Sequence, residues 1–273
     1  LLSCDGATYL PAMGWLNRLA DPGRTGITPI PATAATCAQF STREGTIAGD
    51  VAVKTADSAD VFVLEGATRR PALTWSALVA HNGGSAPVIT TVSAGVRQAL
   101  PAGAPVVSGL VVKATSSPEL YLGGDQQISW IPTAGLAADA GIVLDYRVLP
   151  DAQVASLKKS PTLGSWIRCG TTTSFAAEGR LWPTSSAAAQ GFTPVVLEAG
   201  ACSALNRSSS APLDLVAVKA DGAADVFVAR DGKLRHVTSW AALVGLNGGS
   251  APRSLKVSRE ALAALPAGEP ISG

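Results

Sequence analysis

The sequence predicts a mainly β protein with short helices, built from five tandem α+β units of about three strands and two short helices each. Three observations carry this. The landmarks VAVK, ADVFV, a Trp-bearing segment, NGGSAP and LPAG of residues 51–109 recur in the same order in residues 216–273. Lys54 and Lys219, Phe62 and Phe227, Trp75 and Trp240, Asn82 and Asn247, and Pro101 and Pro266 are each 165 residues apart. The eight-residue step from Lys54 to Phe62 returns between Lys113 and Tyr121, so that offset spans more than one unit. Third, Cys4 with Cys169 and Cys37 with Cys202 obey the same offset. The chain reads as one repeat domain over 1–273 in the order A-B-C-A-B, with units 1–48, 49–109, 110–165, 166–213 and 214–273. Self-similarity at such a period marks one supersecondary unit copied.

Each unit opens with a short apolar run such as Val51-Ala52-Val53-Lys54. A second β-rich run, Asp225-Val226-Phe227-Val228, precedes a Gly turn (Gly66, Gly123-Gly124, Gly179 or Gly232) and a third run, Lys233–Val237. Short β-branched and aromatic runs between Gly turns predict a three-stranded meander. Thr74 and Ser239 then stand as N-caps before Trp75–Val79 and Trp240–Val244, and Asn-Gly-Gly stops each helix. Ser258 caps a second helix over Arg259–Leu265, which Pro266-Ala267-Gly268 ends. The strands are apolar on both faces, with Val61 and Val63 alternating with Phe62 and Leu64, so neighbouring units must cover one another. Neither end carries a polar capping unit of the kind open stacks need. A closed, propeller-like ring is therefore favoured, with an open solenoid as the alternative. The LLSCDG start, without Met or a leader, reads as a processed or excised chain.

The alignment places Cys4 and Cys169 at the strand-1 Lys position, and Cys37 and Cys202 in the second helix. It predicts disulfides Cys4–Cys37 and Cys169–Cys202, each within its own unit. It also sets Lys54 beside Arg97, Lys113 beside Val154 and Lys219 beside Leu262. A zinc site would need close CxxC pairs, and there are none. Disulfides imply an oxidising location, hence a secreted or cell-surface protein.

Apolar residues make up 47% of the chain, charged residues 15%, and the formal net charge is +1. That balance argues against nucleic-acid binding, and no run of 18 apolar residues suggests a membrane span. The two histidines, His81 and His236, are not equivalent, and no GxSxG, HExxH, P-loop or Ca-loop motif accompanies them. The expectation is no enzyme, no metal and no cofactor; a Ser-His-Asp set could arise only from the abundance of Ser and Asp. Tyr9, Phe62, Tyr121, Phe175 and Phe227 recur once per unit on strand 2; they suit core packing better than sugar stacking. Strand 3 carries Arg69, Arg70, Trp130, Arg180, Trp182, Arg235 and His236. Such groups either line a groove for glycans or cover a sheet edge. Arg70, Trp130, Trp182, Arg235 and His236 are the ligand-binding candidates, while Trp75 and Trp240 are expected as core anchors.

The pattern VxVK, DVFV, DGKLRHV, SW and LPAGxPI resembles the ~50-residue repeats at the ends of secreted actinobacterial proteins, including cell-wall hydrolases. It covers the two B units well, the C unit fairly and the A units loosely, since these lack the strand-1 Lys and the LPAG ending. The resemblance implies a non-catalytic targeting or surface-binding role. The expected function is an extracellular binding module for cell-wall or surface glycans, its partner a glycan or cell-wall polymer. The alternative is a structural subunit of a surface layer, fibre or secreted assembly, with other surface proteins as partners.

Overall fold

Each of the five copies builds its own small sheet, and each sheet holds at least one strand more than the expected three. A computed structural model describes residues 1–12 and 15–272. In the fifth copy the meander is Val216–Ala220, Phe227–Arg230 and Lys233–His236, and the helix Trp240–Leu246 follows. The chain then returns as a fourth strand, Ser254–Val257, parallel to the first, before the second helix, Arg259–Ala263. The second copy repeats this with Ile89–Val92, the third with Tyr146–Leu149, the fourth with Val195–Leu197 and the first with Ile30–Pro31. Alternation betrays this strand: Leu255 and Val257 are buried between less buried Ser254 and Lys256. At four residues it is too short to stand out from a loop in sequence.

The LPAG segment also does more than end a helix. Pro266 accepts from the Leu234 N–H at 2.7 Å, and the Gly268 N–H donates to Leu234 at 2.8 Å, so the segment pairs with the third strand. Pro101 and Gly103 do the same with Arg69. A Cβ on Gly103 would lie 2.4 Å from Thr68 Oγ1, and one on Gly268 2.9 Å from Arg235 Cγ, which accounts for glycine at both places. In the third copy Lys158–Ser160 takes this role, and in the first Ser41–Ile47. The A copies also lack a regular first helix: a 3₁₀ turn, Pro22–Thr25, stands there in the first copy.

Capping follows the expectation. Thr74 and Ser239 accept from the N–H of Ala77 (3.0 Å) and Ala242 (3.1 Å), and Ser258 from that of Ala261 (3.2 Å). The Asn-Gly-Gly-Ser loops are closed by the Asn side chain, Asn82 donating to the Ser85 carbonyl and Asn247 to that of Ser250. Both disulfides are present, Cys4–Cys37 with Cα atoms 6.1 Å apart and Cys169–Cys202 at 5.8 Å. As the alignment requires, the helix Ala94–Ala99 packs on the first strand of its copy, and Arg259–Ala263 on Val216–Ala220.

The chain packs as two compact units, residues 1–108 with 152–157, and residues 109–151 with 158–273. Within each, adjacent copies share a core. In the first unit Leu10 and Leu19 of copy one meet Val53, Phe62 and Leu64 of copy two. In the second, Trp166 and Phe175 of copy four meet Val216, Val218 and Leu255 of copy five. The strand-2 aromatics Phe62, Tyr121 and Phe175 are buried, and Trp166 meets Phe175 edge-on at 5.1 Å.

One buried carboxylate links two helices of the second unit. Asp139, on the helix Ala134–Ala140, accepts from the N–H of Ser258 (2.9 and 3.0 Å) and from its hydroxyl (2.6 Å). Burial pushes its carboxyl above the usual range; the Ser258 hydrogen bonds oppose this, and nearby Glu260 adds to it. A carboxyl raised in the folded state contributes stability that is complete below its unfolded value and is lost as pH rises through the folded one. Asp139→Asn removes that dependence. Urea unfolding is therefore expected to show the variant gaining on the native chain as pH rises above about 4, the ordinary aspartate value; parallel profiles would contradict this.

Candidate functional site

Two of the five strand-3 candidates are core residues. Arg70 is 5% exposed. Its guanidinium pairs with Glu65, and its Nε and Nη2 donate to the carbonyls of Ala104 (3.0 Å) and Pro105 (3.2 Å). Trp182 is 4% exposed, with its indole N–H donating to Ala177 and the Arg253 guanidinium 4.1 Å above its ring. Both have structural roles: Arg70 is held by the carbonyls of the segment that follows the second helix, and Trp182 packs in the core shared by copies four and five. Trp130 is exposed on Gln127–Ile131. Arg235 is partly covered, its Nη2 3.8 Å from Asp231. It alternates with His236 along Lys233–His236, so the two side chains leave opposite faces of the strand.

His236 lines a cleft of about 360 Å³ in the fifth copy. Its floor is Val226, Val237 and Leu243; Asp225 and Trp240 complete the walls. The imidazole Nε2 lies 3.7 Å from Asp225 Oδ1, and the ring leans on Phe227 at 5.4 Å between centroids. Trp240 is 61% exposed, and its equivalent Trp75 is 55% exposed. Both therefore depart from the expectation of core anchors. The buried positions of the two helices are Ala77, Leu78 and His81, and Ala242 and Leu243. At 100° per residue, a Trp at the first helical position lies about 110° from the centre of that face. That periodicity is the sequence signal that would have found Trp240. The cleft can stack a flat apolar ring face on the indole and hydrogen-bond polar groups at the imidazole and carboxylate.

A serine, a histidine and carboxylates also meet in the first unit. His81 Nδ1 is 3.2 Å from Ser108 Oγ, and its Nε2 is 3.8 Å from Asp50 and 3.6 Å from Glu65. Arg24 pairs with Asp50 at 2.5 Å, and the Asp50 N–H donates to Asn82 Oδ1 at 2.9 Å. Ser108 is 1% exposed and His81 8%, so both groups are buried among these partners. The arrangement works as a buried polar network. Among the described residues no group of three or more His, Cys, Asp or Glu could hold a metal ion, and no helix is long and apolar enough to cross a membrane.

No protein-family model matches the chain, and no curated protein does. Among solved structures, the chain aligns with one in the periplasmic assembly from the ESX-5 inner membrane complex. That match has 13% identity over 97% of this chain and 90% of the other, at a TM-score of 0.20. An intact ESX-5 inner membrane complex gives 14% identity over 98% of this chain and 78% of that one, at 0.19. Likenesses at these scores support no structural inference.

Proposed function

We propose that this chain is an extracellular, non-catalytic binding module for cell-wall or surface glycans, in the manner of the secreted repeats it resembles. The observation that carries this is Trp240, exposed on the wall of a cleft that also presents His236 and Asp225 over an apolar floor. Trp75, exposed at the same position of the second copy, supports a second point of attachment. Weak sites on one chain bind a polymer far more tightly than either alone. The two disulfides support an oxidising location outside the cytoplasm. The closed ring of five copies expected from the sequence belongs to the same proposal, and small-angle scattering tests it.

The decisive experiment is co-sedimentation with purified cell walls, paired with a glycan array. The native chain is expected to bind, and Trp240→Ala to weaken binding roughly tenfold or more, the size typical of an aromatic anchor. Binding to neither walls nor array overturns the reading. Concentration-dependent light scattering in its place would favour a structural subunit.

A further inference from the structure

We infer that the cleft of the fifth copy takes an uncharged pyranose and that Asp225 turns acidic sugars away. The inference rests on the glycan reading above and names the ligand class of that site. Only two ionisable side chains line the cleft, Asp225 and His236; no Lys or Arg does. The carboxylate accepts hydroxyl protons from a neutral sugar without needing a counter-charge. A uronic or other carboxylate-bearing sugar would instead meet Asp225, 72% exposed, with no guanidinium or ammonium in the lining, and the water-screened repulsion biases the cleft toward neutral sugars.

The remaining walls fit the same ligand. One indole face and the apolar floor of Val226, Val237 and Leu243 match the C–H face of a pyranose ring. The volume, about 360 Å³, lies at the small end of ligand sites, roughly 300–1,000 Å³. A cationic ligand is the poorer fit. A single Trp is not an aromatic cage, and the His236 imidazole, 3.7 Å away, already occupies one side of the carboxylate.

The second copy shows that this chemistry belongs to the fifth. There Pro71 pairs with Phe62 where His236 pairs with Phe227. The equivalent carboxylate, Asp60, has Arg97 at 4.0 Å, and Arg97 also lies over the Phe62 ring at 4.9 Å. The carboxylate of the second copy is thus paired with an arginine, and acid exclusion is not expected of that copy.

Titration of the full chain, followed by the Trp240 indole N–H resonance, tests the inference. The probes are chitotriose and cellotriose (uncharged), trigalacturonate (anionic) and the fully deacetylated chitosan trimer (cationic). At least one uncharged trisaccharide is expected to shift the Trp240 signal, and trigalacturonate to bind roughly threefold more weakly, the size an exposed charge supplies. Asp225→Asn, which keeps the shape and one acceptor oxygen, is expected to narrow that gap. Trigalacturonate or the chitosan trimer binding as tightly as the uncharged probes overturns the inference, as does a gap unchanged in Asp225→Asn. If neither uncharged probe moves Trp240 while the chain still sediments with cell walls, the ligand class is wrong and the glycan reading stands. If sedimentation fails as well, both fall.

Discussion

Arg70→Ala is expected to destabilise the first compact unit by about 3 kcal/mol, the lower end of what removing one partner of a buried ion pair costs. The guanidinium holds the Glu65 carboxylate and two backbone carbonyls, of Ala104 and Pro105, which join the third strand to the segment after LPAG. Truncation strips all three acceptors of this partner at once. The figure sits at the low end because the Glu65 side chain keeps 26% of its exposure, and water screens part of the loss. Arg70→Lys should recover little, since an ammonium cannot reach a carboxylate and two carbonyls with the geometry of a planar fork. Urea unfolding measures both variants against Arg180→Ala, an exposed change on the same strand of the fourth copy, expected to fall within about 0.5 kcal/mol of native. If Arg70→Ala and Arg180→Ala behave alike, Arg70 is not the clasp its contacts describe.

Replacing Cys169 and Cys202 together by alanine should cost the second unit roughly 3–4 kcal/mol, from the entropy of opening the loop the bond closes. The sequence separation is 33 residues, and both cysteines are buried in the core shared by copies three and four, with Ile167, Leu197 and Leu205. Loss of sulfur from a packed site adds to the entropic cost. The midpoint of thermal unfolding should fall by roughly 10 °C for a unit of this size. The equivalent pair in copy one closes a loop of the same separation, but Cys37 is only half-buried, so its removal should cost less. An unchanged midpoint in the Cys169/Cys202 double variant would contradict the argument; so would a larger loss from the first pair.

Much of the fold was legible because duplication supplies an internal alignment. Cysteine at strand 1 and in the second helix of both A copies fixed a contact, and the disulfides follow it. The caps at Thr74, Ser239 and Ser258 were readable because a hydroxyl before an apolar helical run has one dominant use. What escaped was set by pairing between segments distant in sequence. The fourth strand is four residues long in most copies, and only its parallel partner makes it a strand. Arg70 and Trp182 look like ligand-binding groups in sequence, yet Arg70 is tied to the carbonyls of Ala104 and Pro105 and Trp182 packs in the core shared with copy five. Of the candidate site, only His236 was found. Trp240 was misassigned because its size suggested the core, whereas its place at the first helical position decides its direction. Asp225 stands in the run that predicts the second strand and becomes part of the cleft only through His236, its neighbour across the hairpin.

Every strand pairing among the described residues begins and ends within one copy, including the bridges made by the segments after the second helix. Copies meet through side chains and turns and share no hydrogen-bonded ladder. Recombination that inserts or deletes a whole copy therefore leaves the strand pairing of every remaining copy intact; what it disturbs is the side-chain faces and the few turn bonds between copies, such as Ala67 N–H to Thr25, and the Asp139–Ser258 link. Such a gene can change length in steps of one copy, and each new copy can drift in its surface residues while its ladder stays fixed. The divergence of Pro71 and His236, at one position of otherwise matching copies, is what drift of that kind leaves behind.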